Sequence, residues 1–197
     1  MFEKVSYGEW ENCLMNEGSP CFGMVPQENM KEAYDEIIIP QRGTPGSAGY
    51  DFFMPFELQV EPGGRYLVPT GIKVDLRQAV FEVAKFGKIS SNSLGKKDVQ
   101  NNVAGIGIPS FLALYPRSSL GFNYGFNLLN TVGIIDQDYY NNPGNEGHIM
   151  VGFEIMAKTT LKPHSKFCQG IIQPFMLMDT KGIGSKLRIG GVGSTGI

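Results

Sequence analysis

A chain of 197 residues is long enough to bury a complete hydrophobic core, and we expect it to form one domain. Charged residues make up 18% of the chain and the formal net charge is -2, which argues against a nucleic-acid partner. The first six residues lack a basic patch followed by an apolar stretch, and no run approaches the roughly 18 apolar residues of a membrane span. We therefore expect a soluble, intracellular, cytoplasmic protein with no membrane partner.

The 26 glycines and 12 prolines, together with the lack of long helical periodicity, predict an all-β protein of short strands joined by turns. Residues 1–34 show no repeated pattern and are predicted to be an N-terminal extension, in which only Gln27 to Tyr34 has the pattern of a short helix. The predicted strands are, in chain order, Glu36 to Ile39, Tyr50 to Met54, Tyr66 to Val74, Val80 to Phe86, Phe111 to Tyr115, Ile149 to Ile155 and Gly170 to Met178.

Clusters of glycine, proline and asparagine mark the turns between these strands. The stretch from about residue 87 to residue 109 is polar, and we expect it to be a surface insertion. The sequence thus predicts a β domain over residues 35–185 that carries this insertion, followed by a flexible glycine-rich tail over residues 186–197.

The first segment that carries chemistry is Pro116-Arg117-Ser118-Ser119-Leu120. An arginine fork offers paired donors to phosphate oxygens, and a neighbouring serine hydroxyl can donate to a further oxygen. The Arg-Ser-Ser tripeptide within this segment can also cap a turn or form a surface ion pair. Taken alone, it is a weak indication of phosphate binding.

The second segment runs from Asn130 to Tyr139 and contains Asp136 after the apolar run Val132 to Ile135. Aspartates at such positions often only form turns. Because the apolar run leads directly into it, we expect the Asp136 carboxylate to be half buried. A half-buried carboxylate can orient a water molecule and accept its proton.

The third segment, Gly190 to Gly196, contains four glycines with Ser194 and Thr195. It could be a frayed chain end. It could equally offer several backbone N–H groups to a triphosphate. The three segments together favour hydrolysis of a nucleoside triphosphate.

In this order the segments resemble the motifs of the trimeric dUTP diphosphatase (dUTPase) family. The spacing of 18 residues between Ser118 and Asp136 is similar to that of the family, and the resemblance runs from about Ile37 to the C-terminus without the insertion. The five matching segments are Ala48 to Phe52, Pro116 to Leu120, Asn130 to Tyr139, Gly170 to Gln173 and Gly190 to Gly196.

The resemblance implies a β-barrel or jelly-roll (β-clip) fold and a homotrimer whose active sites are shared between chains. The implied reaction is hydrolysis of dUTP to dUMP and pyrophosphate by attack of water on the α-phosphate. This reaction would keep uracil out of DNA and supply dUMP for thymidylate synthesis. The implied cofactor is Mg²⁺, held by the substrate phosphates and water, with no direct protein ligand expected.

The resemblance also implies a role for individual residues. Asp136 would orient the attacking water, and Gln173 would contact phosphate or help to hold that water. Tyr139 would pack under the deoxyribose, and Asp51 would brace Arg117. The other residues implied to bind substrate are Arg117, Ser118, Ser119, Asn130, Gly133, Ile135, Arg188, Gly193, Ser194 and Thr195.

The chain departs from the family pattern at several positions. The turn after Tyr139 is longer, Gly170 stands where the fourth motif usually has an arginine, and Val192 replaces an aromatic residue of the tail. Arg188 is displaced by one position from the arginine that precedes the fifth motif. Loss of the tail aromatic would weaken binding by about 1 kcal/mol.

Two alternatives remain at this point. A dCTP deaminase shares the Arg-Ser-Ser-Leu segment, but Phe122 and Gly152 occupy the positions of its further arginine and its catalytic glutamate. A regulatory trimer could bind a protein partner through residues 1–34 or 87–109, because inserted surface segments often carry function. The presence of Asp136 and the other motif residues favours an active hydrolase.

Overall fold

The computed structural model describes residues 1–19, 21–78 and 109–176. Its helices are α1 (Tyr7–Met15), α2 (Met30–Asp35) and α3 (Ser118–Tyr124), with 3₁₀ turns at Gln27–Asn29, Leu76–Gln78 and Gln137–Tyr139. Its strands are β1 (Phe2–Lys4), β2 (Gln41–Arg42), β3 (Tyr50–Phe53), β4 (Leu58–Val60), β5 (Arg65–Pro69), β6 (Ile72–Val74), β7 (Ser110–Pro116), β8 (Asn127–Leu128), β9 (Gly133–Ile135), β10 (Met150–Glu154), β11 (Thr159–Leu161) and β12 (Lys166–Pro174).

The strands form antiparallel sheets, which confirms the prediction of a mainly β protein. The largest sheet has the order β2-β3-β12-β7-β9, and a second sheet has the order β5-β10-β8. Two further pairs, β1 with β6 and β4 with β11, complete the pairing within the described residues. Among these residues no helix has the length and apolar character needed to cross a bilayer.

One buried cluster holds the two larger sheets together. Phe52 and Leu114 contribute to it from the five-stranded sheet, and Val68 and Phe153 contribute from the three-stranded sheet. Phe126, just before β8, stacks on Phe153 with ring centroids 4.4 Å apart. Removing such large side chains from water is the main favourable term in folding.

The N-terminal segment belongs to the same core. Trp10 and Leu14 of α1 are fully buried, and the Trp10 indole N–H donates to the Met30 carbonyl at 3.3 Å. Strand β1 pairs with β6. The predicted helix over Gln27 to Tyr34 is confirmed as a 3₁₀ turn followed by α2, whereas α1 is a helix that the sequence analysis missed.

Several predicted strands agree with the structure. Tyr50 to Met54 corresponds to β3, Phe111 to Tyr115 lies within β7, and Ile149 to Ile155 contains β10. The predicted strand Gly170 to Met178 begins four residues too late, because β12 starts at Lys166. The predicted strand Val80 to Phe86 lies outside the described residues.

Two strand predictions are wrong in detail. The stretch Glu36 to Ile39 forms no strand. Ile37 is instead buried against Gly71, so closely that a Cβ on Gly71 would lie 2.3 Å from Ile37 Cδ1. The stretch Tyr66 to Val74 is divided into β5 and β6, because Gly71 turns the chain with a φ of 70°. A left-handed φ of this kind favours glycine.

We predict that Trp10→Ala destabilises the whole domain, because it leaves a cavity in the shared core. The free energy of unfolding should fall by about 3 to 5 kcal/mol. Denaturant unfolding at a fixed protein concentration would measure the change. The control is Phe22→Ala, since Phe22 is 51% exposed. Equal stability of the Trp10→Ala protein and the wild type would show that the N-terminal segment is not part of the core.

Candidate active site

The most buried charged group at the site is the Asp51 carboxylate of β3, which is 4% exposed. One of its oxygens accepts a hydrogen bond from Arg117 Nη1, and the other lies 2.9 Å from Lys166 Nζ. Burial of a carboxylate is tolerated when it is paired in this way. The structure thus places Asp51 and Arg117 in contact and adds a second cation, Lys166, that the sequence analysis did not consider.

The two serines of the Pro116 to Leu120 segment lie directly beside this ion cluster. Ser118 and Ser119 begin α3 and are exposed, and Arg117 precedes them in an extended conformation with ψ of 132°. Helix α3 ends at Gly125, which adopts a left-handed φ of 63°. The cation, two hydroxyls and the first N–H groups of the helix therefore lie next to one another.

Gln169 lies at the same end of the sheet. It is level with Asp51 on one neighbouring strand and with Tyr115 on the other, and its Nε2 donates to the Pro116 carbonyl at 3.4 Å. A Cβ on Gly49 would lie 2.6 Å from Gln169 Oε1, so the Ala48 to Phe52 segment approaches this side chain closely. Gln169 was not predicted as a site residue, because the strand was predicted to begin one residue later, at Gly170.

Gln173 lies elsewhere on the same strand. It is level with Phe111 of β7, and its Nε2 donates to the Tyr115 hydroxyl at 3.0 Å. Four residues separate it from Gln169, which corresponds to roughly 13 Å along an antiparallel strand. The structure therefore does not bring Gln173 to the cluster around Asp51.

Strand β9 and the turns on either side of it carry the residues of the Asn130 to Tyr139 segment. Gly133 packs so closely on β7 that a Cβ would lie 3.1 Å from Leu114 Cβ. Asn130 is exposed in the turn between β8 and β9, next to Thr131 with its left-handed φ of 64°. Ile135 ends the strand and is partly buried.

Asp136 and Tyr139 flank the 3₁₀ turn that follows β9. Asp136 is partly buried and precedes the turn, and its carbonyl accepts from the Tyr139 N–H at 3.2 Å. Tyr139 is 6% exposed. Its hydroxyl donates to the His148 carbonyl at 2.9 Å and accepts from Asn145 Nδ2 at 2.8 Å. The loop after Tyr139 thus fixes the position of the tyrosine ring.

These two groups of residues occupy opposite corners of the five-stranded sheet. Asp51 is level with Tyr115 of β7, two strands away, whereas Ile135 ends β9 opposite Leu112. Asp136 is therefore about four residues along and three strands across from Asp51, a distance of roughly 20 Å for regular strands. Within one chain, Asp136 does not meet the arginine that Asp51 holds.

Gly170, which the sequence analysis predicted to replace an arginine of the family, is buried. A Cβ at this position would lie 2.8 Å from Leu112 Cδ1 and 3.0 Å from Phe52 Cε2. The position faces the hydrophobic core, so it has no room for a long cationic side chain. The cation of β12 that approaches Asp51 is Lys166.

The Cys168 thiol lies beneath the same cluster and is fully buried. Burial, together with the nearby Asp51 carboxylate, raises the pKa of this thiol well above its ordinary value. The thiolate is the nucleophilic form of cysteine. Cys168 is therefore a packing residue and not a nucleophile.

The remaining predicted site residues lie outside the described residues. They are Arg188, Gly193, Ser194 and Thr195, and the same holds for Val192 and most of the predicted insertion.

The comparisons with known proteins agree in pointing to one family. A family model described as dUTPase matches residues 35–88. The chain is 32% identical over 163 residues to the deoxyuridine 5'-triphosphate nucleotidohydrolase of Lactococcus lactis. The match covers 81% of this chain and 89% of the relative. The nucleotidohydrolase of the same name from Neisseria meningitidis serogroup A is 30% identical over 169 residues, with the same two coverages.

Solved structures show the same fold. The crystal structure of dUTPase from Streptococcus mutans superposes with a TM-score of 0.54 at 28% identity, covering 90% of this chain and 98% of that chain. The dUTPase from phage phi11 of S. aureus has a TM-score of 0.50 at 14% identity, over 77% of this chain and 92% of that chain. A mutant of the phi11 enzyme, with a TM-score of 0.50 at 15% identity over 76% and 91% of the two chains, was solved to reveal the coordination of a structural Mg(II) ion. The fold is thus of the jelly-roll type found in dUTPases.

We predict that Gly170→Ala destabilises the protein, because the added methyl group must displace Leu112 or Phe52. Overpacking of this kind should lower the free energy of unfolding by about 1 to 3 kcal/mol. The matched control is Gly46→Ala, since a Cβ on Gly46 would meet nothing within 4 Å. Thermal unfolding of both variants would measure the difference, and a Gly170→Ala protein as stable as the control would contradict this packing.

Proposed function

The chain belongs to the dUTPase family, and from this membership we propose that it hydrolyses dUTP to dUMP and pyrophosphate. The observation that carries the proposal is the buried Asp51 carboxylate, which holds the arginine of an Arg-Ser-Ser segment beside two exposed hydroxyls. Such a group is suited to phosphate oxygens. The product dUMP would serve thymidylate synthesis, and removal of dUTP would keep uracil out of DNA.

The ion cluster would bind the triphosphate. Asp51 orients the Arg117 guanidinium, so that its remaining N–H donors can be directed to phosphate oxygens at little cost in side-chain entropy. Ser118 and Ser119 would donate to further oxygens. Gln169 lies next to this cluster, and we assign to it the phosphate contact that the motif pattern had given to Gln173.

Strand β9 and the turns on either side of it would read the base and the sugar. Within the described residues β9 is an edge strand of its sheet, so the outer backbone groups of Gly133 and Ile135 can pair with the edge of uracil. Asn130, in the turn before β9, would add a side-chain contact. Because a wrong base leaves such polar groups unpaired, this readout discriminates strongly. Tyr139, held by its own loop, would pack under the deoxyribose and leave no room for a 2′-hydroxyl.

Asp136 would act on the water. Its carboxylate would accept a proton as the water oxygen attacks the α-phosphorus. The bond between the α-phosphorus and the oxygen that bridges to the β-phosphate then breaks, and pyrophosphate leaves. Gln173 lies on the Asp136 side of the sheet, level with Phe111. A role for Gln173 in holding this water remains a prediction.

Mg²⁺ is the proposed cofactor. Asp136 is partly exposed and Asp138 is exposed on the adjoining turn, so both carboxylates could hydrogen-bond water molecules around a cation. Among the described residues no three His, Cys, Asp or Glu side chains are grouped to hold a metal. Mg²⁺ keeps much of its water and commonly binds through substrate phosphates, which fits this donor set. The ion would neutralise charge on the triphosphate.

We also propose that the active site is shared between the chains of a homotrimer. The phosphate-binding group and Asp136 lie roughly 20 Å apart within one chain, which is longer than a triphosphate group can bridge while water attacks its α-phosphate. A second chain that presents its own β9 and Asp136 to the Arg117 cluster would close this gap. The glycine-rich tail, with Arg188, Gly193, Ser194 and Thr195, is proposed to close over the phosphates.

We predict that Asp136→Asn lowers kcat for dUTP by about 10² to 10⁴-fold, because the amide cannot accept the proton of water. KM should change little, since this side chain acts on water and not on dUTP. The control is Glu57→Gln, which alters an exposed carboxylate outside the proposed site and should keep near-normal turnover. Steady-state assays with Mg²⁺ would measure both, and near-normal turnover of Asp136→Asn would refute the assigned role.

A further inference from the structure

The loop that holds Tyr139 is itself held by the N-terminal segment. The loop spans residues 140–148 and has its own network, in which the buried Asn142 donates to the Tyr139 carbonyl at 2.9 Å and accepts from the Gly144 N–H at 3.0 Å. Glu146 adopts a left-handed φ of 55°. Such a conformation is unusual for a residue with a side chain and persists only when surrounding contacts fix it.

Glu146 is fixed by the start of helix α1. Its carboxylate accepts hydrogen bonds from both the backbone N–H and the hydroxyl of Ser6, and a further one from Lys73 Nζ at 3.1 Å. Partial burial raises the pKa of Glu146, but these bonds outweigh that effect and hold the pKa below its ordinary value. The carboxylate thus stays charged at the positive end of α1, where an anion is favoured.

Two further contacts join the N-terminal segment to the same loop. The Tyr140 hydroxyl donates to the Glu3 carboxylate. Glu9 lies 3.2 Å from Nδ1 of the buried His148, and the Gly71 N–H donates to Nε2 of that ring at 2.8 Å. Because Nε2 accepts a hydrogen bond, the ring proton lies on Nδ1 and donates to Glu9. Tyr139 in turn donates to the His148 carbonyl.

We propose that Glu146 is a positioning residue for sugar selection, acting through Ser6. The bond from Ser6 to Glu146 fixes the loop, and the loop fixes the Tyr139 hydroxyl between His148 and Asn145. The inference rests on the proposed function, in which the ring of Tyr139 excludes a 2′-hydroxyl. The N-terminal segment therefore contributes to discrimination between dUTP and UTP without touching either nucleotide.

The test compares dUTP and UTP as substrates of the full-length protein. Glu146→Ala removes the acceptor and leaves Ser6 as the cap of α1, where its hydroxyl accepts from the Glu9 N–H. Ser6→Asp keeps a capping oxygen but places a second carboxylate against Glu146. Each variant should lower the ratio of kcat/KM for dUTP to that for UTP by about fivefold or more, mainly through a higher kcat/KM for UTP, because a displaced Tyr139 ring excludes the 2′-hydroxyl less well. Glu146→Gln, which keeps an acceptor oxygen, should restore most of the ratio.

The matched control is Glu61→Ala, which breaks the exposed ion pair of Glu61 with Lys158 and should leave the ratio unchanged. Thermal unfolding of each protein would accompany the kinetics. A fall in kcat/KM by the same factor for both nucleotides would overturn the proposal, because a loss of stability alone has that effect. An unchanged ratio in Glu146→Ala and Ser6→Asp would also overturn it. A wild-type protein that hydrolyses neither nucleotide would overturn the proposed function itself.

Discussion

The proposed mechanism depends on the length and rigidity of one strand. Strand β7 leads at its C-terminal end into Arg117, and near its other end it pairs with the strand that leads into Asp136. Hydrogen bonding to β12 along seven residue pairs keeps β7 extended, so the phosphate-binding group and the proposed base are kept apart. A site that needs both groups must then be completed by another chain. Assembly of subunits is, on this account, a condition for catalysis and not only for stability.

Burial decides which charges at the site are fixed. Asp51 is almost fully buried, whereas the Arg117 and Lys166 side chains that neutralise it remain 32% and 42% exposed. The carboxylate therefore fixes one end of the arginine and lets it face solvent, where a phosphate can bind. Gly170 on the same strand faces the core and has no room for a cation. Lys166 lies beyond the register shift between Lys166 and Cys168, and its ammonium reaches Asp51, so it supplies the cation on this strand.

Much of the β domain could be predicted from local patterns. The strand that contains Asp51, the strand that leads into Arg117 and the strand that contains Phe153 follow from runs of apolar and β-branched residues between turns. The burial of α1 could not be predicted, because a nine-residue helix containing Gly8 has little helical tendency of its own and is stabilised by the packing of Trp10. The strand predicted at Ile37 is wrong, because an apolar residue can be buried without pairing in a sheet.

The site was predictable residue by residue only where a motif is contiguous. The Arg-Ser-Ser segment and Asp136 are predicted as site residues in this way, but Gln169 is not, because its proximity to Asp51 depends on the register between β12 and β3. The role of the first 35 residues was also hidden. Their contacts with the loop after Tyr139 join positions about 140 residues apart, a separation that local sequence patterns do not report.

Subunit complementation would test the central claim, that one site uses Arg117 of one chain and Asp136 of another. Arg117→Ala and Asp136→Asn proteins would each be prepared alone, then unfolded, mixed in equal amounts and refolded together, with dUTP hydrolysis as the readout. If each site combines two chains, random assembly restores about a quarter of the intact sites, and the mixture should show about a quarter of wild-type activity. A mixture as inactive as the separate variants, although mixed trimers have formed, would contradict the account.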